Sequence, residues 1–412
     1  MTAVRPEGVR VPTLRGNKDF RRLWLGAGLS FMGSQVSACA YPLVVLWSGG
    51  SAVVAGLVAS VAQLPYLLVQ LPAGVLADRV DRRRLMVVCD VGRLVVIGTV
   101  PASFLLYGIL PWYLALVGFV EGAFTVAYRI AERTALPSLV EPELLLPATA
   151  RNEARERAAG LLGQPAAGAL MWLSAWSPFV FTALSHLAAL GTLLRIKGRL
   201  QEERVVAPRR VFAELAEAGV WMWRQHFARA AVGLIAASNL LFQILVLAVL
   251  VIVKAGGGTT LTATLVTSAA GVGGVLGALS GPRWVERVSL ARMVVGANLA
   301  WTLLVPVLAF SDEPVVLGLV FGLAAYVGAV WTVGISGHLL VIVPMEMRGR
   351  IAGIATLIAY GPLAFGSALG GVALERFGVA GTVIAVAGAM ALLTLLAALG
   401  KGIRSVDRAV AP

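Results

Sequence analysis

The chain has 412 residues, of which 58% are hydrophobic and only 13% charged, against about 25% charged in a typical water-soluble domain. With a mean hydropathy of +0.86 it has too little polar surface to cover a soluble core. Two cysteines exclude a disulfide scaffold, and the apolar content excludes a disordered or fibrous chain.

Residues 1–21 are basic, contain Pro and Gly, and have no short apolar run, so a cytoplasmic tail is expected there and not a cleavable signal. Apolar stretches of spanning length follow at about 22–47, 52–77, 85–108, 110–130, 151–174 and 177–196. The fifth opens on RNEARERAAG, so its first turns are amphipathic. A longer connection runs from 197 to 229. Within it Val211, Phe212, Leu215, Ala218, Gly219 and Met222 recur at helical spacing beside Glu214, Glu217, Trp223 and Arg224. That pattern predicts a short helix lying along the membrane surface as a linker between halves. Six more stretches follow at about 230–253, 260–282, 291–311, 314–337, 350–374 and 379–400, and then a tail at 401–412. The predicted fold is an all-α polytopic membrane protein with twelve transmembrane helices in two six-helix halves, 22–196 and 230–400.

The formal net charge of +13 raises nucleic-acid binding as a first thought. Its distribution answers otherwise. With both termini cytoplasmic, about 30 of the 34 Lys and Arg fall on the inner side, with only Lys254 and Arg376 outside and Arg93 and Arg129 inside spans. The surplus is a topology signal for a multi-pass protein of a bacterial cytoplasmic membrane, and no nucleic-acid partner is expected.

The halves echo each other. GVLADRVDRRRLMVV (74–88) is matched by GALSGPRWVERVSLARMVV (277–295), and the stretch 135–170 is matched by 340–374. Parallel repeats of this kind mark a large class of secondary transporters. The segment GVLADRVDRRR resembles the signature loop between the second and third helices of the major facilitator superfamily, G-x-x-x-D-R/K-x-G-R/K-R/K. Gly74, Asp78, Arg79, Arg82 and Arg83 fill that pattern, while Asp81 stands where Gly is usual. The resemblance covers about 20–405, and the FRRLW start and the LPSLVEPELLLPATARNEARE stretch are similar to the branch that holds the enterobactin exporter and many bacterial drug effluxers. It implies alternating access, function as a monomer, and an inner gate in which Asp78 meets the N-terminal end of the eleventh helix. The Arg82–Arg84 cluster is then expected to reach carboxylates or helix C-termini nearby.

Asp90 and Arg93, at i and i+3 of the third span, can neutralise each other, and Arg129 is expected to join them in one charge network. Glu121 stands near the middle of the fourth span, in LALVGFVEGAFTVAYR. A charged carboxylate facing lipid there costs several kcal/mol, so Glu121 is expected to face the bundle interior, as the first candidate for a proton site. The drug:proton antiporters of the superfamily carry Arg-x-x-Gln-Gly on this helix. Here Gly118 replaces the Arg and Glu121 the Gln, before Gly122. Their G-P-x-x-G-G on the fifth helix is partly kept as Gly160, Gly163, Pro165 and Gly168, with Gln164 and Ala169 departing from it. The fold places a central cavity among the first, fourth, seventh and tenth spans. Gln35, Tyr41, Asn239, Gln243, Tyr326 and Trp331 are the expected substrate contacts, suited to an amphipathic small molecule. His186 and His338 are expected near span ends or outside the central set, in structural roles.

Three scattered His and two distant Cys offer no metal site, and no G-x-x-x-x-G-K-[ST] is present for ATP. No cofactor and no enzymatic activity are expected. The function read from these features is export of drug-like molecules in exchange for protons. Export of a siderophore or another natural product, and a non-transporting sensor or lipid-handling protein, stand as the alternatives.

Overall fold

The computed structural model describes residues 16–198, 200–201 and 211–400, together with Leu14 and Ile403. Helix α1 (Lys18–Trp47) starts where the side chain of Asn17 accepts the backbone N–H of Phe20, satisfying a donor with no partner inside the helix. Helices α2 (Ala52–Leu68) and α3 (Gln70–Arg79) form one crossing bent by 44°. Pro72 carries no N–H for the carbonyl four residues earlier, which accounts for the break. The first half continues with α4 (Arg82–Tyr107), α5 (Pro111–Ala135), α6 (Pro142–Leu173) and α7 (Ser177–Leu194). The connecting helix α8 (Val211–Arg224) precedes the second half. That half comprises α9 (His226–Ala255), α10 (Thr260–Arg287), α11 (Leu290–Leu304), α12 (Pro314–Ile342), α13 (Arg348–Tyr360) and α14 (Leu363–Leu399).

Nine segments among the described residues are long and apolar enough to cross a bilayer, and the bent pair α2–α3 makes a tenth. Two features complete the twelve-helix pattern. Gly378, at φ +68°, breaks α14 into the end of one crossing and the whole of the next. Helix α6 is long enough at 32 residues, but the charges in its first half keep it out of a purely apolar count. It also starts at Pro142 and not near 151, so RNEARERAAG lies inside the helix. The charged turns are held helical because Arg155 and Glu156 find partners on α5. Side chains such as Leu105, Trp172 and Phe310 stand more than three-quarters exposed, as a lipid-facing surface requires.

The helices run between a basic end, where α1 begins, and a far end, where it stops at Trp47. Every positive-φ residue among those described is a glycine in a far-end turn: Gly49, Gly108, Gly257 and Gly378. The two halves meet through α2 against α14 and through α6 against α10. These contacts are backbone-close. A Cβ on Gly56 would lie 2.2 Å from the Ser367 carbonyl oxygen, and one on Gly168 would lie 2.8 Å from that of Thr260. Three hydrogen bonds join the halves there: Ala368 N–H to Ser60 Oγ (2.8 Å), Thr260 Oγ1 to the Gly168 carbonyl (3.1 Å), and Val53 N–H to Glu375 Oε1 (3.4 Å). All three lie in the half of the bundle towards the far end. Within the second half, Gly273 and Gly277 seat α10 on the backbone of α12.

Adding bulk at Gly56 should therefore wedge α2 from α14. With cysteines introduced at Val53 and Glu375, a short bifunctional thiol reagent is expected to bridge them in the parent. In a Gly56→Val background the yield should fall at least about threefold, as overpacking forces the backbones apart. Unchanged bridging would refute the close approach.

Candidate substrate cavity and coupling site

Ser30, Ser34, Ser37 and Tyr41 recur at i, i+4, i+7 and i+11 of α1 and so share one face of the helix. That face turns towards α5 and α7. Glu121, in the middle of α5, is 4% exposed. Its carboxyl group accepts two hydrogen bonds of 2.7 Å, from Ser37 Oγ on Oε1 and from the Tyr41 hydroxyl on Oε2. Gly118, one turn before Glu121, gives Tyr41 its place. A Cβ on Gly118 would meet Tyr41 Cε2 at 3.2 Å and Ala62 Cβ at 2.8 Å. An arginine at this position, as in the antiporter pattern, would displace the Tyr41 ring that holds Glu121.

His186 lies on α7, outside the central set of crossings, in the middle of the helix and fully buried. Its Nε2 is 3.8 Å from Glu121 Oε1, and its Nδ1 is 3.3 Å from Ser30 Oγ. Nothing local in a lone histidine on an apolar helix shows this. The polar spacing along α1 was the available signal.

A cavity of about 380 Å³ opens beside Glu121, between the two halves. Its polar lining includes Gln35, Gln63, Glu121, Gln164 and Gln243, and its apolar wall includes Val246, Leu250 and Phe321. Of the six expected contacts, Gln35, Tyr41 and Gln243 line it. The other three are engaged elsewhere. Asn239 donates to the Ala359 carbonyl at 2.8 Å, fastening α9 to α13. Tyr326 faces α10, where its hydroxyl accepts from Trp284 Nε1 (2.9 Å) and Ser280 Oγ (3.0 Å). Trp331 is buried against Trp301, with ring centroids 4.9 Å apart. Helix α12 instead presents Phe321, five residues before Tyr326 and so on a different face. The second, fifth and eighth crossings also contribute to the lining, through residues such as Gln63, Gln164 and Thr267.

The expected single charge network divides into separate pairs. Arg93 bonds Asp90 at 2.5 Å, both fully buried, and lies over the Tyr128 ring. Arg129 does not join them: it bonds Glu156 on α6 at 2.6 Å and lies over Phe31. Arg155 of α6 bonds Glu132 of α5 at 2.8 Å, again buried. These pairs fasten α6 along α5 and neutralise charge where lipid and protein offer no water.

In the signature loop, Arg82 donates to the carbonyl of Thr134 (2.8 Å), in the last turn of α5, and Arg83 to that of Leu194 (2.9 Å), the last residue of α7. Both cations thus sit at helix C-termini of their own half, where carbonyls without helical partners and the helix dipole favour positive charge. Asp81, the departure from the usual Gly, caps α4 by accepting the Arg84 N–H at 2.8 Å. Gly74 and the exposed Arg79 lie on α3, and the side chain of Asp78 is outside the described residues.

Twelve helices in two halves, closing on a central cavity with a buried acid in its wall, define a membrane transporter of the major facilitator type. Residues 13–411 match the family described as transmembrane secretion effector, and the chain belongs to that family. It is 27% identical over 413 residues to the multidrug efflux pump Tap of Mycolicibacterium fortuitum, covering 95% of this chain and 97% of Tap. It is also 27% identical over 172 residues to macrolide efflux protein A of Streptococcus pyogenes, covering 42% of each chain. Among solved structures, a mutant of the nucleoside transporter NupG superposes with a TM-score of 0.76 at 13% identity, covering 92% of this chain and 98% of that one. A bacterial homologue of the iron transporter ferroportin, in an inward-facing state, gives 0.67 at 17%, covering 94% and 100%. These two likenesses concern the fold.

Removing one partner of a buried pair strands the other. Glu132→Ala is expected to destabilise the protein by about 3–5 kcal/mol, read as a lower melting temperature of the purified protein in detergent. Combining it with Arg155→Met should recover part of the loss. An unchanged melting temperature in Glu132→Ala would show that the pair contributes nothing.

Proposed function

We propose that the protein exports amphipathic, drug-like small molecules across the cytoplasmic membrane in exchange for protons. The carrying observation is the placement of Glu121: a carboxyl group held by Ser37 and Tyr41 in the wall of an otherwise mostly apolar cavity between the halves. A group so placed can take up a proton when the cavity faces one side and release it when it faces the other. The cavity volume and its few amide and hydroxyl groups suit a molecule with an apolar body and scattered polar atoms. Efflux is supported by the two relatives, one a multidrug efflux pump and the other a macrolide efflux protein.

In this reading both termini are cytoplasmic, 22–196 and 230–400 rock about the cavity as a monomer, and 197–229 links them. The basic residues at one end set the orientation. Gln35, Gln243 and Tyr41 contact the substrate. Asn239, Tyr326 and Trp331 support the walls. Gly74, Asp78, Arg79, Arg82 and Arg83 belong to the loop at the basic end that closes the inner side.

The test is expression in a bacterial host lacking its own major efflux pumps, with ethidium and erythromycin as probes. The parent protein should lower accumulation of at least one probe, and an uncoupler should abolish the effect. Glu121→Gln should reduce active efflux by at least about tenfold while the protein still binds the probe. Efflux by Glu121→Gln that an uncoupler still collapses would remove Glu121 from the coupling. Failure with every drug, combined with better growth only under iron limitation, would point to a siderophore instead.

A further inference from the structure

The carboxyl group of Glu121 faces two ways. On one side is the substrate cavity. On the other is His186, and behind it the buried interior of the first half. Nδ1 of His186 is hydrogen-bonded with Ser30 Oγ at 3.3 Å, while Nε2 lies 3.8 Å from Glu121 Oε1 and has no hydrogen-bond partner among the described residues. Ser30 in turn borders a void of about 10 Å³, roughly the space one water fills. Thr125, Arg93, Glu132, Arg155 and Glu156 also line that void. Glu156 is bonded on by Arg133 at 3.2 Å, and Arg133 reaches Glu153 at 3.5 Å; the last two side chains are each about half exposed. Polar groups therefore lie one after another from Glu121 towards the surface near the basic end, wholly inside the first half, with a 3.8 Å approach at His186 and a small void beyond Ser30 as the gaps between them.

We infer that this line is the route by which protons pass between Glu121 and the basic side of the membrane, with His186 and Ser30 as its relay, separate from the path taken by the substrate. The inference rests on the proton-coupled reading above and adds the path and its groups. The step balances as follows. A proton leaves Glu121 Oε1 for Nε2 of neutral His186, and the Nδ1 proton passes to Ser30 Oγ. Ser30 gives its own hydroxyl proton across the void to the carboxylate of Glu156, which is partly exposed and releases it to water at the basic end. One proton has moved, and the ring is left in its other tautomer, which rotation restores. The charged groups beside the relay are Arg93, paired with Asp90, and Arg155, paired with Glu132, while Glu156 meets both Arg129 and Arg133. Tyr41 faces the same region and donates its hydroxyl to Glu121.

A separate route gives the transporter an economy of space. Substrate in the cavity can cover one face of Glu121 while the proton enters or leaves from the other, so the two need not pass one another in the same opening.

The experiment uses the full chain in proteoliposomes loaded with a pH-sensitive dye, with ethidium as the probe. Ethidium binding is read separately by fluorescence. The parent should move protons when ethidium is added. His186→Gln should lower that proton movement at least about tenfold while ethidium binding stays within about twofold, a separation that a merely structural role would not produce. Ser30→Ala, which leaves the Glu121 contacts in place, should fall in the same direction and carries the test if His186→Gln fails to insert. Parental proton movement in both variants, with loss only in Glu121→Gln, would show that protons leave through the substrate cavity and overturn the route. Absence of proton movement in the parent itself would overturn the coupling reading on which the route depends.

Discussion

The cost of placing charge away from water governs this molecule. Five charged side chains are buried among the described residues: Asp90, Arg93, Glu121, Glu132 and Arg155. Four of them solve the problem by pairing, and the pairs fasten α6 to α5 or tie successive turns of α4. Glu121 has no cation within bonding distance. It is satisfied instead by two hydroxyl groups and approached by a histidine. That difference sets Glu121 apart from the four buried groups whose charge is balanced by a bonded partner.

All five belong to the first half. The buried polar groups of the second half are hydroxyls and amides, such as Ser238, Thr264, Asn298 and Ser367. The halves share a fold and a repeat but not a chemistry. The first half carries the ionisable groups, and the second supplies much of the apolar wall through Val246, Leu250 and Phe321. The cavity between them therefore has an acid-bearing wall on one side and a largely apolar one on the other.

The fold was legible because lipid imposes a coarse rule that composition obeys: long apolar runs, broken by glycine and charge, are helices that cross. The two places where counting was harder have local causes, the charged opening of α6 and the single-glycine break at Gly378. Glu121 was legible for the same reason, since a carboxylate in an apolar run has few innocent explanations. What could not be read was which face each helix turns to which neighbour. Tyr326 and Trp331 look like cavity residues until the packing of α12 on α10 and α11 claims them. Arg129 looks like a neighbour of Arg93 until α6, beginning at Pro142, brings Glu156 alongside. His186 carried no mark of its own, only the indirect one of the polar spacing along α1, because its significance lies in the register of α7 against α1 and α5.

The hydrogen bonds between the halves gather towards one end, at Ser60–Ala368, Gly168–Thr260 and Val53–Glu375. At the other end Arg82 and Arg83 are tied to α5 and α7 of their own half. In the rocking motion proposed above, the halves would act as a pair of long levers with a fulcrum towards one end. A 30-residue helix such as α9 is about 45 Å long. A relative rotation of about 10° at the fulcrum sweeps the opposite tip through roughly 8 Å, the width of a small organic molecule, by simple arc length on that helix. The signature-loop arginines travel with the lever to which they are bound. The thinness of the backbone contact at Gly56 and Gly168 then acquires a mechanical meaning: it sets how near the tip the fulcrum lies, and so how far a small motion is magnified.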